Sequence, residues 1–148
     1  MPYTGKLLSE GAVAPAFAGQ AVVEGMFKDI TLSEYAVSLC ACECTYQADR
    51  CVCIAQDKWV ALVFYTGDYI TPAEELTSLN DYAPELAKDN IHLVLTSVNS
   101  HFVHLSMTNT PRPKGGFGDM QVPLLADLNM KIAKDYGVLD EAAGNAIP

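Results

Sequence analysis

The sequence predicts an α/β domain that combines an N-terminal β-hairpin with a β-α-β core. Two apolar runs, 59–65 and 91–98, are typical of buried strands. Residues 72–90 lie between them and place apolar side chains at a helical period. The two strands are therefore expected to run parallel, joined by a right-handed helical crossover. A chain of 148 residues is long enough for one domain with a hydrophobic core.

The hairpin is predicted from two short apolar stretches near the N-terminus. Strands at 21–23 and 27–32 flank Glu24-Gly25, a pair suited to a tight turn. Residues 1–19 contain several glycines and prolines and are predicted to form a loop.

The crossover helix has recognisable start signals. Thr71 is expected to cap the helix N-terminus, and Pro72 suits the first helical position. The negative charges of Glu74 and Glu75 are stabilising near the positive end of the helix dipole. Pro84 should kink or interrupt the helix. The apolar stripe that would pack on the sheet consists of Leu76, Leu79, Ala83 and Leu86.

Three more elements follow the second buried strand. A helix at 100–109 would be capped by Ser100, a strand is predicted at 122–125, and a helix at 129–136 would end at Gly137. His101 and His104 are three residues apart on the first of these helices, so they could form a metal-ligand pair or serve as ordinary helix positions.

The composition excludes several classes of protein. A net charge of −9 and a pI of about 4.5 oppose binding to nucleic acid or to anionic membrane surfaces. No apolar run approaches the roughly 20 residues needed to span a bilayer. The first residues match neither a secretory signal nor a transit peptide, so we expect a cytoplasmic location.

Cysteine is confined to one short segment, which differs in composition from the rest of the chain. Every second residue is a cysteine at 40–44 and again at 51–53. In two β-strands this spacing would place the thiols on one face, where they could bind zinc or copper(I), form disulfides or act as a reductant. The spacing is not that of a standard zinc motif, and a non-native insertion at about 36–56 is the alternative explanation. The five residues are Cys40, Cys42, Cys44, Cys51 and Cys53.

The order of motifs between Leu95 and Val138 resembles the peroxiredoxin family, in its typical two-cysteine, AhpC/TSA-like branch. The resemblance extends over 13–35 and 58–146 and implies a single thioredoxin-like domain over 1–148, truncated at its C-terminus. The motifs that carry it are Ser100-His101-Phe102, Thr110-Pro111-Arg112, Gly115-Gly116-Phe117-Gly118, Pro123-Leu124-Leu125-Ala126-Asp127 and Asp135-Tyr136-Gly137.

The resemblance also implies an activity and a set of site residues. The family reduces hydroperoxides with a reactive cysteine and takes electrons from a thioredoxin-like donor. Arg112 matches the family's active-site arginine, although a surface salt bridge is its alternative role. Glu74 matches the glutamate that follows the reactive cysteine, and Tyr65 matches the tyrosine that precedes the active-site loop. Thr71 stands where the peroxidatic cysteine is expected, so we expect catalysis to be lost or impaired.

Two other functional hypotheses stay open at this point. The chain could be a non-catalytic variant that binds peroxiredoxins or a metal through its thiols, or it could be a mis-spliced product without a function of its own. No haem, flavin or nucleotide motif is present, so no cofactor is expected. Residues 115–118 match the family's Gly-Gly-Leu-Gly loop, and we expect only a turn there because the C-terminal Tyr-Phe that the family pairs with it is not in the sequence. If the family topology holds, the 59–65 strand forms an exposed apolar edge that favours homo- or hetero-oligomers.

Overall fold

The computed structural model describes residues 12–36, 59–66 and 73–146. The secondary structure of these residues begins with a hairpin and continues with strands and helices. In chain order the elements are β1 Ala18–Val23, β2 Met26–Thr31, α1 Leu32–Ala36, β3 Trp59–Phe64, α2 Ala73–Lys88, β4 Ile91–Ser97, α3 His101–Asn109, a 3-10 turn Arg112–Lys114, β5 Leu124–Ala126, α4 Lys131–Asp135, β6 Leu139–Asp140 and β7 Asn145–Ala146.

Five of the strands form one mixed sheet in the order β2-β1-β5-β4-β3. Strands β3, β4 and β5 are parallel, whereas β1 is antiparallel to both β2 and β5. Trp59 lies opposite Ile91 in the parallel ladder, and Ala21 lies opposite Leu125 where the hairpin joins the core. The predicted hairpin and the predicted β-α-β unit are both confirmed.

The sheet separates two hydrophobic clusters, because successive side chains of a strand point to opposite faces. The first cluster is covered by α2 and α3, and the second by α1, α4 and the segment before β1. The buried members of the first are Val22, Tyr65, Leu76, Leu93, Leu95, Phe117, Met120, Val122 and Leu124. Those of the second are Phe17, Ala21, Ile30, Val94, Leu125 and Ile132.

Strand β3 differs from the prediction of a strand buried on both faces. Its side chains are half-buried, and Trp59 at its start is 69% exposed. The reason is its place in the sheet, since β3 is the last strand in the order and has a neighbour on one side only within the described residues. The apolar run was therefore a sound signal for a strand, but not for a central one.

Helix α2 runs through Pro84 without interruption. Proline removes the N–H that would bond the carbonyl four residues earlier and crowds that carbonyl with its ring, and α2 continues past Pro84 despite both effects. The predicted cap at Thr71 lies outside the described residues. Ser100, by contrast, caps α3 as predicted, because its hydroxyl accepts a hydrogen bond from the Val103 N–H.

The C-terminal elements begin later than predicted. Strand β5 starts at Leu124 rather than at 122, and α4 starts at Lys131 rather than at 129. The short β6–β7 hairpin was not predicted. The two later starts have a side-chain cause. Asn80 accepts from the Val122 N–H in place of a strand partner, and both carboxylate oxygens of Asp127 accept from N–H groups in the first turn of α4.

Candidate functional site

The candidate site lies where the carboxyl ends of β3 and β4 meet the start of α2. Tyr65 follows β3 directly, is buried, and donates its N–H to the Thr96 carbonyl over 3.0 Å. Burial raises the pKa of Tyr65 to about 12, an effect that the neighbouring Ser97 hydroxyl partly offsets. The Tyr65 hydroxyl forms no hydrogen bond of good geometry within the described residues.

The other residues predicted for this end of the sheet are not brought together by direct contacts. Glu74 is exposed in the first turn of α2, where its backbone carbonyl accepts hydrogen bonds from the hydroxyls of Thr77 and Ser78. Thr71 lies outside the described residues. The proximity of Thr71 to Tyr65 and Glu74 therefore stays a prediction.

Arg112 forms a two-pronged ion pair with Asp81 of α2. Its Nη1 and Nη2 donate to the two carboxylate oxygens over 2.9 and 2.7 Å, and its Nε donates to the Phe117 carbonyl over 3.2 Å. The hydrogen bond, with the opposite charge, lowers the pKa of Asp81 and raises that of Arg112. Both side chains are substantially exposed, at 43% for Arg112 and 56% for Asp81.

This ion pair determines where the guanidinium lies relative to α2. Asp81 follows Ala73 by eight residues, which corresponds to about 12 Å along the helix axis. The salt-bridge role considered for Arg112 is thus observed, and the guanidinium contacts the middle of α2. Its role in catalysis stays a prediction.

The glycine-rich stretch is a turn that also fixes Arg112. Gly115 and Gly118 adopt left-handed conformations with φ of 81° and 66°, and Gly115 N–H donates to the Arg112 carbonyl over 3.0 Å. A Cβ at Gly116 would overlap the Thr110 backbone and side chain. The three glycines therefore allow the chain to fold tightly around residues 110–112.

Asn80 is a residue of this region that the sequence did not reveal. It lies on the buried side of α2, and its Oδ1 accepts from the N–H groups of Gln121 and Val122 over 2.8 and 3.1 Å. Its Nδ2 is 3.5 Å from the Asp119 carbonyl. A polar residue beside Leu79 in the apolar stripe was the available signal, and the structure shows that it anchors the loop before β5.

His104 is a core histidine rather than half of a metal-ligand pair. Its Nδ1 is 3.3 Å from the Leu124 carbonyl, which can only accept, so Nδ1 carries the proton. Its Nε2 then accepts from the Ser97 hydroxyl over 2.8 Å. With both nitrogens occupied, His104 cannot bind a metal together with His101, which packs edge-on against Phe27.

Desolvation dominates the electrostatics of His104. Burial lowers its pKa to about 4, although the Leu124 carbonyl opposes the shift and the nearby His101 adds to it. The imidazole is therefore neutral at physiological pH and serves as a hydrogen-bonded link between β4, α3 and β5.

The predicted metal-thiolate site cannot be placed, because all five cysteines lie outside the described residues. Across 12–36, 59–66 and 73–146 there is no cluster of three or more His, Cys, Asp or Glu side chains suited to a metal ion. In the same residues, no helix is long and apolar enough to cross a membrane.

Known proteins share both the sequence and the fold. The sequence model of the AhpC/TSA family matches residues 52–148. Peroxiredoxin 2 of Drosophila melanogaster is 43% identical over 133 residues, which cover 88% of this chain and 58% of that protein. The human mitochondrial thioredoxin-dependent peroxide reductase is 38% identical over 136 residues, covering 90% of this chain and 45% of that protein.

The structural comparison agrees. The reduced 2-Cys peroxiredoxin of Plasmodium vivax superposes with a TM-score of 0.72 at 27% identity, covering 99% of this chain and 64% of that one. The chain spans less than two thirds of the length of these relatives. The family model, the relatives and the five-stranded sheet agree that this chain belongs to the AhpC/TSA family of peroxiredoxins and has a thioredoxin-like fold.

Proposed function

We propose that this chain keeps the scaffold of a thiol peroxidase in a form that does not itself reduce hydroperoxides. The observation that carries the proposal is Thr71, two residues before α2 begins at Ala73, where the family resemblance expects the reactive cysteine. A peroxidatic thiolate attacks the peroxide O–O bond, keeps one oxygen as sulfenic acid and releases water or an alcohol. A threonine hydroxyl has no sulfur to oxidise and stays protonated at neutral pH.

The remaining predicted site residues would serve a thiolate rather than replace it. We propose that Arg112 would supply positive charge and that Tyr65 and Glu74 would shape the pocket at position 71. The ion pair with Asp81 argues that Arg112 must first leave α2 to do so. An exposed ion pair of this kind contributes little free energy, so a substitution at Asp81 can shift Arg112 from the paired to the released state.

The test restores the thiol that the proposal says is missing. Thr71→Cys is made in a background in which the five native cysteines are serine, with Thr71→Ser as the matched control. Hydrogen peroxide consumption is followed with thioredoxin, thioredoxin reductase and NADPH, and sulfenic acid is trapped with dimedone. We expect no turnover by the unaltered chain above that of its five-serine variant, and one peroxide consumed per thiol by Thr71→Cys.

The ion pair provides a second comparison in the Thr71→Cys background. If Arg112 assists the thiolate, Arg112→Ala slows sulfenic acid formation, whereas Asp81→Ala releases the guanidinium and accelerates it. Equal rates in all three proteins would remove Arg112 from the site. Turnover by the unaltered chain that depends on one native cysteine would overturn the proposal of lost catalysis.

We also propose the partners and the location that family membership suggests. The chain would associate with itself or with other peroxiredoxins, and a hydroperoxide and a thioredoxin-like donor would be substrates only of a form with a reactive thiol. The relatives include a mitochondrial protein, so the cytoplasmic location is proposed from the sequence alone. Fractionation of cells expressing the tagged chain tests it.

A further inference from the structure

One asparagine of this chain stands in a sequence context that favours deamidation. Asparagine is a thermolabile residue, because the backbone nitrogen of the next residue can attack its side-chain amide. Glycine and serine at the next position favour this attack, since they crowd the nitrogen little. Asn99 precedes Ser100, and no other asparagine of the chain precedes serine or glycine. The asparagines lie at positions 80, 90, 99, 109, 129 and 145.

The reaction at this bond needs no oxidant, cofactor or partner protein. The Ser100 nitrogen loses its proton and bonds to the side-chain carbonyl carbon of Asn99, and the side-chain nitrogen leaves as ammonia. Water then opens the cyclic succinimide at one of its two carbonyls. The product is aspartate or isoaspartate, and either form adds one negative charge to the net charge of −9.

The fold leaves both reacting groups accessible. Asn99 and Ser100 are partly exposed in the bend between β4 and α3. The Asn99 N–H donates to the Ser97 hydroxyl over 3.3 Å, which ties the backbone of the bend to the end of β4. Among the described residues, neither the Asn99 side-chain amide nor the Ser100 N–H has a hydrogen-bond partner. None of the described hydrogen bonds therefore has to break before the nitrogen can attack.

Three other asparagines are protected by hydrogen bonds. The backbone nitrogen that follows Asn109 donates to the Met107 carbonyl over 3.3 Å. The nitrogen that follows Asn129 donates to the Asp127 carbonyl over 2.9 Å. Asn80 is buried, and its side-chain oxygen accepts from two N–H groups. At each of these positions a bond of the folded state must break before deamidation can begin.

We propose that Asn99 is a site of spontaneous deamidation and that its product gives α3 a negative charge at its N-terminus. Helix α3 has no acidic residue in its first turn. The new carboxylate would lie one residue before the cap Ser100, where the positive end of the helix dipole stabilises negative charge. This modification does not depend on whether the chain reduces peroxide.

Peptide mapping by mass spectrometry tests the site. The full chain is incubated in its folded state, with reductant, at neutral pH and physiological temperature, in water labelled with heavy oxygen. Ser100→Thr is the matched control, because it keeps the hydroxyl that caps α3 but crowds the attacking nitrogen with a β-branched side chain. The unaltered chain in urea shows how fast each asparagine reacts without the fold.

We expect Asn99 to convert first in the folded chain, and Ser100→Thr to slow the conversion several-fold. Urea should accelerate the conversion of Asn80 and Asn109 much more than that of Asn99, because it removes their protecting hydrogen bonds. Conversion of another asparagine before Asn99 in the folded chain would overturn the proposal. Strong protection of Asn99 in the folded chain relative to urea would do the same.

Asn99→Asp tests the effect of the new charge, with the neutral Asn99→Gln as its matched control. Asn99→Asp should have the higher melting temperature at low salt, and the difference should shrink as added salt screens the charge. Equal melting temperatures of the two variants at low salt would refute the proposed effect on α3.

Discussion

His104 gives the sharpest prediction, because its burial couples protonation to unfolding. The side chain is 1% exposed, and its folded pKa is about 4 compared with an ordinary value of 6.5. Between these two pKa values, His104 is protonated in the unfolded state and neutral in the folded state. Stability is expected to fall as the pH drops below 6.5, and this contribution levels off below the folded pKa.

The magnitude follows from the two pKa values. Between pH 7 and pH 5 the free energy of unfolding should decrease by about 2 kcal/mol through this histidine alone, and the full difference is about 3 kcal/mol. Urea unfolding at a series of pH values from 7 to 5 measures this slope. Asp81, whose pKa is lowered, affects stability only below the ordinary carboxylate range and so lies outside the window.

His104→Gln should lower the overall stability but flatten its dependence on pH. His101→Gln is the matched control, because it removes the other imidazole of the same helix and leaves the buried one in place. The reasoning is refuted if His104→Gln keeps the full slope, or if nuclear magnetic resonance shows that His104 titrates near 6.5 in the folded chain.

Three further substitutions test the contacts that hold the site together. Asn80→Ala should cost about 2 kcal/mol in urea unfolding, because the buried Val122 N–H and the part-buried Gln121 N–H lose their acceptor; unchanged stability would contradict this. Gly116→Ala should destabilise more than Gly25→Ala, since a Cβ at 116 overlaps Thr110, whereas one at 25 meets nothing within 4 Å and costs only the strain of a side chain at φ of 74°; the two melting temperatures decide. Thr96→Val should raise stability by about 1 kcal/mol, because the Thr96 hydroxyl is buried without a partner among the described residues, and a lower melting temperature would refute it.

The sequence predicted those elements whose signals are local. The strand at 59–64 follows from a continuous apolar run, the strand at 91–97 from a largely apolar stretch, and α3 from Ser100, whose hydroxyl caps it as expected. Periodicity and capping act between residues that are close along the chain, so they can be recognised without knowing the fold.

The sequence could not predict contacts made across long separations. Asn80 bonds to residues 39 to 42 positions away, and this contact shortens the strand predicted at 122–125. Met130 has a left-handed conformation with φ of 56° just before α4, which no residue preference would suggest. Asp127 compensates by accepting from the N–H groups of Ile132 and Ala133.

The candidate site was only partly predictable for a related reason. A motif gives the residue types of a site but not the other partners that compete for them. Arg112 was identified from its motif, whereas its partner Asp81 lies 31 residues away and carries no signal of its own. The glycines at 115–118 were expected to form a turn, and the structure adds that this turn holds the arginine backbone.

The contacts that maintain the fold are separate from the position where the chemistry would occur. Asn80, His104 and Asp127 fix the loop before β5, the core link of α3 and the start of α4 through contacts with other described residues. The peroxiredoxin fold therefore has its own supporting contacts, apart from position 71, where we propose that a threonine stands in place of the reactive thiol. Likeness to peroxiredoxins is thus stronger evidence for the scaffold than for the reaction, and restoring a single sulfur atom at position 71 separates the two.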